Sequence, residues 1–314
     1  MAMNMRFLCH NVFLNTDQCF KWLQDNDLAP LNPKCSVCGD EMKTDVKGGN
    51  QIRFRCKKAK NAHDVVQNAL LNTFFEDSKF GLMNIVTVMY YFSWNLTNYD
   101  FLINECSFDG ITTCRNTIAD WLSFCREVCF LWLGDKFENE ELLGGEGVVV
   151  EVDGAEIKKR KFKSGRLVQG TWVIGIMELN TNIVISKRER RDGRFRLEVC
   201  PENSRSAEFL VPLIVKHVKP RTTIVTNLWK TYFGLNTKGY DHFIVNHNKF
   251  VDLLPSASTK TLKSNWRPAL KTGLRGDCNA DRLAEYMYRR EVMINGDDPF
   301  EHFLKAVKHV YPTK

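Results

Sequence analysis

The hydrophobic positions divide the chain into a helical region and a region in which strands and helices alternate. Between residues 67 and 133, Leu, Phe, Trp and Met recur at helical spacing with few turn signals, which predicts three or four helices. From residue 148 onward, short runs of β-forming residues come first and then alternate with helical patterns. This succession is typical of an α/β layer architecture.

Predicted strands and helices fill the chain from residue 148 to its C-terminus. Three consecutive strands come first, and helices then alternate with two shorter strands. The predicted strands are residues 148–153, 170–179, 183–188, 222–226 and 243–245. The predicted helices are residues 206–218, 258–271, 283–290 and 300–310, with Pro268 interrupting the second.

The chain is expected to fold as three regions. Residues 1–66 begin with a mixed helical pattern and continue into a short strand-like run at 51–56. Residues 67–137 form the helical region, and residues 148–314 form the α/β domain. The stretch between these two is acidic and then glycine-rich, which is typical of a linker.

Composition places the chain among globular proteins without a membrane-spanning segment. Its 314 residues are 44% hydrophobic and 26% charged, which is ordinary for a soluble protein. The most apolar stretch, residues 85–94, is too short to cross a bilayer and predicts a buried helix. The N-terminus lacks a signal-peptide pattern, so we expect an intracellular protein whose 11 cysteines are mostly reduced.

A cysteine pair near the N-terminus predicts a metal site. Cys35 and Cys38 form a CxxC turn with Gly39 directly after it, so both thiolates can point at one ion. Cys56 and His63 supply a second, more loosely spaced pair, and four such ligands suit tetrahedral Zn²⁺. The alternatives are buried thiols without a metal, a redox CxxC pair, or a ligand supplied by Cys9, His10 or Cys19.

Two segments around Gly110 could form a helix-turn-helix. Residues 101–106 and 111–129 would be its helices, and Arg115 and Asn116 would then face DNA. The alternative is a plain helical hairpin whose apolar side faces a core, and the scarcity of cations in these helices supports it.

Basic runs predict contacts with phosphate groups. The formal charge of +7 is a modest excess, so the distribution of cations matters more than their total. A run without acids follows the first strand of the α/β domain and comprises Lys158, Lys159, Arg160, Lys161, Lys163 and Arg166. A second run has helical spacing and includes Lys260, Lys263, Arg267 and Lys271. A third cluster, residues 187–196, is diluted by acids. Such runs bind DNA phosphates or form a solvated basic face, and residues 158–161 also fit a nuclear import signal.

Asp153 ends the first strand of the α/β domain, where a carboxylate can hold Mg²⁺ at the edge of a sheet. The sequence around it is distinctive, with Val-Glu-Val-Asp before the basic run and Gln-Gly-Thr-Trp-Val-Ile-Gly after it. Further segments continue at residues 224–232, 239–242, 245–247, 250–252, 259–266 and 283–286. In order and spacing, these segments resemble the Merlin group of DDE transposases and the related bacterial insertion-sequence enzymes.

The resemblance implies an RNase H-like α/β domain, a zinc-binding N-terminal segment, DNA as partner and a homodimer. It also implies two-metal catalysis by three acids, whose positions here are Asp153, Asn227 and Lys263. An amide is a weaker ligand than a carboxylate, and an ammonium group repels a cation by about 4 kcal/mol per unit charge at ~4 Å and an effective dielectric of ~20. Two-metal catalysis is therefore expected to fail.

We predict a nuclear, transposase-derived DNA-binding protein that no longer cuts DNA, either co-opted by a host or decaying. Its cofactor would be Zn²⁺, with Mg²⁺ only if the catalytic site has been rebuilt. One alternative is an active Mg²⁺-dependent transposase or nuclease with relocated acids, for which the candidates are Glu151, Glu156 and Asp252. By the period of two, Glu151 points the same way as Asp153. The other alternative is a protein-interaction scaffold.

Overall fold

The computed structural model describes most of the chain. It describes residues 3–47, 51–58, 63–108, 112–157, 170–179, 193–227, 230–245 and 279–313. Contacts divide the chain into two compact units. Unit 1 comprises Met1–Trp132 and Asn295–Lys314, and unit 2 comprises Leu133–Ile294. The three regions inferred from the sequence remain a prediction.

Helices and strands are numbered in chain order within the described residues. The helices are α1 (Met5–Asn11), α2 (Thr16–Asp25), α3 (Leu82–Ser93), α4 (Tyr99–Glu105), α5 (Arg115–Asn139), α6 (Ala207–His217), α7 (Ala280–Asn295) and α8 (Pro299–Val310). The strands are β1 (Lys43–Lys47), β2 (Gln51–Lys58), β3 (His63–Asn68), β4 (Val149–Ile157), β5 (Thr171–Leu179), β6 (Phe195–Val199), β7 (Thr223–Asn227) and β8 (Asp241–Val245).

Unit 1 packs its helices around the apolar helix α3. Among the described residues it also holds a three-stranded antiparallel sheet in the order β1-β2-β3. Phe92 of α3 is fully buried, and its ring centroid lies 5.3 Å from that of Phe303 in α8. The apolar stretch is therefore a core helix, as the sequence predicts. None of the helices in the described ranges is long and apolar enough to cross a membrane.

Side-chain caps fix the beginnings of several unit 1 helices. The Asn15 side chain accepts a hydrogen bond from the first turn of α2, and Asn98 does the same for α4. At the start of α8, Asp298 accepts from two backbone N–H groups, and Pro299 occupies the first helical position. Caps of this kind satisfy N–H groups that have no partner within the helix, so each helix has a defined first residue.

Unit 2 is built on a mixed sheet. Within the described residues the sheet has five strands in the order β6-β5-β4-β7-β8. The pairs β4–β5 and β5–β6 are antiparallel, whereas β4–β7 and β7–β8 are parallel. Because β4 is central and pairs in both senses, its first residues, 149–152, lie between an antiparallel and a parallel neighbour.

Apolar side chains cover the sheet of unit 2 on both faces. On one face, Val150 and Val152 of β4 pack in a cluster with Leu210 and Ile214 of α6. On the other face, the cluster includes Val149 of β4 and residues of β5, β6, β7 and α7. Alternate residues of β4 therefore point to opposite layers, which is the α/β layer arrangement expected from the sequence.

The structure differs from the prediction at strand β6 and at the end of helix α5. Strand β6 was not predicted from the sequence. The strand predicted at 183–188 and the helix predicted at 258–271 lie outside the described residues. Helix α5 continues to Asn139 and so includes the first residues of the predicted linker. These differences leave the positions of β4 and β7, which carry the candidate site, as expected.

Candidate functional site

The parallel pairing of β4 and β7 brings Asp153 beside Asn227. The register pairs Val152 with Thr226, so the next residue of each strand is Asp153 and Asn227 respectively. Asp153 lies four residues after Val149 on β4, and Asn227 lies two residues after Val225 on β7. Val149 and Val225 face the same apolar cluster, so the side chains of Asp153 and Asn227 leave the sheet on that face. Two of the three positions implied by the family resemblance therefore adjoin each other.

A hydrogen bond joins these two side chains. The Asn227 amide donates from Nδ2 to Oδ1 of Asp153 over 2.8 Å, and Asp153 is only 1% exposed. The other amide atom, Asn227 Oδ1, is buried and has no hydrogen-bond partner among the described residues. Lys263, the third implied position, lies outside the described residues.

Further polar groups lie on the same strand or interact electrostatically with Tyr232. Glu151 is fully buried, and by the alternation of the strand it leaves β4 on the same face as Asp153. Burial and the negative charge of Asp153 together raise the pKa of Tyr232. Arg205 stacks over the Trp172 ring at 4.3 Å, and its positive charge opposes that rise in the pKa of Tyr232. The sequence analysis did not single out Tyr232 or Arg205, although Tyr232 ends one of the segments that resemble transposases.

His242 is held in place on the neighbouring strand β8. Its Nε2 lies 2.8 Å from the hydroxyl of Thr226 on the paired strand β7. Burial lowers the pKa of His242, which favours the neutral imidazole at pH 7. The hydrogen bond agrees with a structural role for this histidine.

The donor set at Asp153 does not fit a pair of divalent ions. Hard cations such as Mg²⁺ prefer several anionic or carbonyl oxygens, whereas Asn227 turns an N–H group towards the Asp153 carboxylate. Among the described residues, Asp153 belongs to no group of three or more potential metal ligands. Of the candidate replacement acids, Glu156 is exposed and Asp252 lies outside the described residues.

The predicted zinc ligands come together in unit 1. Cys35 and Cys38 lie in the loop before β1, Cys56 lies on β2, and His63 begins β3. Their four ligand atoms all lie within 4.8 Å of one another. Cys9, His10 and Cys19, which the sequence left as alternative ligands, are not part of this group.

Three distances within the group agree with a tetrahedral arrangement. Zinc bonds of about 2.3 Å to sulfur and about 2.0 Å to nitrogen give edges of about 3.8 Å between two sulfurs and about 3.5 Å between sulfur and nitrogen. Cys38 Sγ lies 3.6 Å from Cys56 Sγ, and His63 Nε2 lies 3.7 Å from Cys35 Sγ and 3.4 Å from Cys56 Sγ. The four residues could therefore hold one tetrahedral metal ion.

Local structure prepares the first two thiols for a metal. Gly39 adopts φ +74°, and its N–H donates to the Cys35 carbonyl over 2.9 Å, which closes a tight turn. Backbone N–H groups of Cys38 and Val37 lower the pKa of Cys35. By contrast, burial and the neighbouring thiols raise the pKa of Cys56 to about 12. A bound cation would compensate this crowding, because coordination deprotonates a thiol.

The predicted helix-turn-helix corresponds to α4 and α5. Arg115, which was expected to face DNA, stacks over the Tyr99 ring at 4.3 Å and lies 3.4 Å from the Asp100 carboxylate. On α5, Trp121 and Val128 are buried. These contacts agree with the hairpin alternative for the inner side of α5.

The predicted phosphate-binding residues lie outside the described ranges. They are Lys158, Lys159, Arg160, Lys161, Lys163, Arg166, Lys260, Arg267 and Lys271. Their role is therefore argued from the sequence alone.

Comparison with known families agrees with the fold of unit 2. Residues 142–288 match the family model of the ISXO2-like transposase domain. This match supports a DDE transposase. It also implies an RNase H-like α/β fold for residues 142–288, the transposase-like domain. Comparison with curated proteins and with solved structures gave no match.

Proposed function

We propose that this chain is a transposase-derived DNA-binding protein whose transposase-like domain no longer cleaves DNA. The observation that carries the proposal is the hydrogen bond from the Asn227 amide to Asp153, because the family resemblance assigns the second carboxylate to position 227. Lys263 stands at the third implied position, where its charge opposes cation binding. The finer relationship to the Merlin group belongs to the same proposal.

The Cys35, Cys38, Cys56 and His63 group is proposed to hold a structural Zn²⁺. All four candidate ligands come from the protein, which is typical of structural zinc sites and leaves no position open for a substrate. The ion would join the loop before β1 to strands β2 and β3 and so stabilise this small sheet.

DNA binding is proposed to depend on the basic runs. The run from Lys158 to Arg166 follows β4, the strand that carries Asp153, and it contains no acid. Lysine and arginine in such a run neutralise phosphates and release counterions. We further propose a nuclear location, because residues 158–161 fit a short import signal, and a homodimer, because transposases commonly act as dimers.

A nicking assay on supercoiled DNA with Mg²⁺ or Mn²⁺ tests the loss of cleavage. The wild-type chain and Asp153→Ala are expected to give the same background. Nicking by the wild type that disappears in Asp153→Ala would overturn the proposal. A third variant, Asn227→Asp with Lys263→Glu, restores the acid set, and it is expected to bind Mn²⁺ in a titration followed by the electron paramagnetic resonance signal of the free ion.

A second candidate function is a nuclease with a relocated acid. Its supporting observation is Glu151, which is fully buried on the same strand face as Asp153. In that case Glu151→Gln would abolish a divalent-ion-dependent nicking activity of the wild type, whereas Glu156→Gln, at an exposed position of the same strand, would leave it unchanged.

A further inference from the structure

A groove in unit 1 lies away from every residue assigned above to the zinc group. Its volume is about 930 Å³, which is in the range of sites that hold several side chains of a ligand. The turn at residues 73–80 forms one wall, the start of α5 forms the other, and Tyr311 closes one end.

Aromatic rings form the floor of the groove. The Trp121 ring is central: it stacks on Phe80 at 6.2 Å and meets the edges of Phe74 at 5.5 Å and Phe124 at 5.3 Å. Trp121 and Phe74 are buried, whereas Phe124 is 44% exposed. Mutual ring contacts hold these side chains in one arrangement, so the groove presents a rigid aromatic surface.

Carboxylates line the rim of the groove. The lining contains Glu76, Asp77, Asp120 and Glu127, and Lys79 is the cation that lies among them. None of these four acids forms an ion pair with a cation in the described part of the chain. Elsewhere in unit 1, by contrast, acids such as Asp45 and Asp64 are paired with arginines. The groove therefore keeps an uncompensated negative charge in a chain whose formal charge is +7.

Helix α5 repeats this chemistry along one face. Asp120, Phe124 and Glu127 follow one another at spacings of four and three residues, which places them in one row on the helix. An exposed ring flanked by two carboxylates attracts the charged end of a lysine or arginine side chain, because the ring face and the carboxylates are both negative. Nucleic acid is disfavoured here, since its phosphates would meet the same carboxylates.

We propose that this groove binds a lysine- or arginine-bearing peptide segment of a partner protein. Cationic side chains would lie over the exposed part of the aromatic floor, with their charged ends at the Asp120 and Glu127 carboxylates. The groove would thus give the chain a protein-binding surface in unit 1.

Fluorescence anisotropy with the full-length chain tests the proposal. The probe is a labelled decapeptide of alternating Gly, Arg and Lys, and its counterpart with Glu in place of each cation serves as the negative probe. Asp120→Asn with Glu127→Gln is expected to weaken binding of the cationic probe at least tenfold, and Phe124→Leu, which keeps the apolar bulk but removes the ring, about threefold. The matched control Asp17→Asn with Glu138→Gln removes the same charge at exposed helical positions outside the groove, and it should change affinity less than twofold.

Thiol protection localises the bound probe. Cys114 lines the groove and is exposed, and the Thr117 hydroxyl lowers the pKa of Cys114. The cationic probe should slow alkylation of Cys114 but not of Cys9, an exposed cysteine outside the groove.

Equal probe affinity for the wild type and the Asp120–Glu127 variant would overturn the proposal, as would an unchanged rate at Cys114. A short DNA duplex that loses affinity when the groove acids are removed would also overturn it, because the occupant would then be nucleic acid.

Discussion

Unit 1 and unit 2 each contain a site at which a metal ion is expected from the family resemblance, but the two sites differ in what has been kept. In unit 1, three thiols and an imidazole lie close enough together to occupy the corners of a tetrahedron. In unit 2, the strands bring Asp153 and Asn227 into register, but a hydrogen bond occupies the space between the two side chains. The sheet thus holds two positions side by side although the side chain at one of them cannot supply a second carboxylate.

The difference follows from how each site depends on its side chains. Backbone pairing positions Asp153 and Asn227, and the β4–β7 register would be the same with either Asp or Asn at position 227. The zinc-like group has such a backbone frame only in part, because Cys56 and His63 lie on the paired strands β2 and β3 whereas Cys35 and Cys38 come from the loop before β1. We expect the strand pairing at Asp153 and Asn227 to persist without a metal ion. The zinc-like group is expected to unfold locally without one.

The largest expected effect is that of removing a ligand in unit 1. Cys38→Ser should abolish binding of one Zn²⁺ per chain and unfold the β1–β3 sheet, because structural zinc in small fingers contributes about 10–16 kcal/mol of apparent free energy. Metal analysis of the purified chain and circular dichroism with and without a chelator measure this. Cys9→Ser, at an exposed cysteine outside the group, is the control and should retain the ion. A full zinc content in Cys38→Ser would remove the contrast between the units.

A smaller effect is expected at Asp153. Asn227→Asp places a second carboxylate beside the first, so the free energy of unfolding should fall by about 2–4 kcal/mol at pH 7 in the presence of a chelator. Mn²⁺ should restore part of this loss. Urea denaturation monitors both effects.

The control for this site is Asn227→Ala, which removes a hydrogen-bond donor without adding charge. It should cost about 1–3 kcal/mol and show no response to Mn²⁺. If Asn227→Asp unfolded at the same urea concentration as the wild type, the electrostatic account of the site would be wrong.

The salt dependence of DNA binding tests whether the region after β4 carries the phosphate contacts. Replacing Lys158, Lys159, Arg160 and Lys161 by Ala should lower the slope of log K against log salt by about 2 to 4, because each phosphate contact contributes about 0.9. Fluorescence anisotropy at several salt concentrations measures it. The control replaces four exposed lysines elsewhere, namely Lys21, Lys43, Lys238 and Lys305. Affinity that ignores salt in the wild type would favour the scaffold alternative.

The smallest effect is a pH dependence in unit 2. Burial raises the pKa of Glu198, but hydrogen bonds from His217 and Lys216 outweigh it, so the pKa of Glu198 is lowered overall. Because the pKa of Glu198 is lowered in the folded state, its ionised form stabilises the fold above the unfolded-state pKa of about 4.3. This stabilisation is lost as the pH falls through the folded-state pKa. Glu198→Gln should remove this part of the acid sensitivity, worth less than about 1 kcal/mol, in thermal melts between pH 3 and pH 6 (roughly the range that spans a carboxyl titration). Identical pH profiles for both chains would refute it.

The sequence allowed much of unit 2 to be predicted because its strands carry strong local signals. The runs that became β4, β5, β7 and β8 are rich in β-branched residues, and parallel pairing then brings Asp153 to Asn227. Strand β6 was missed, although its alternation of apolar and charged residues was a usable signal. Its Arg196 is buried, where it stacks on the Phe137 ring and pairs with Glu140. A charge at such a position conceals a strand.

The groove in unit 1 could not be predicted from the sequence. Phe74, Trp121 and Tyr311 are far apart along the chain, and only the packing of unit 1 places their rings together. The hairpin alternative expected the apolar side of the second helix to face a core, whereas the structure leaves nearly half of the Phe124 side chain exposed. The carboxylates beside Phe124 could not be recognised as part of a groove, because residues 73–80, which form the opposite wall, are distant in the sequence.

The amide at position 227 changes what the transposase-like domain requires of its surroundings. An enzyme that gathers carboxylates for two ions repels itself whenever those ions are scarce, and it carries that instability as the cost of activity. Here Asp153 meets a neutral donor at position 227, so this pair adds no such repulsion at any concentration of magnesium. A descendant retained only for its surface would be under no selection to reverse that exchange.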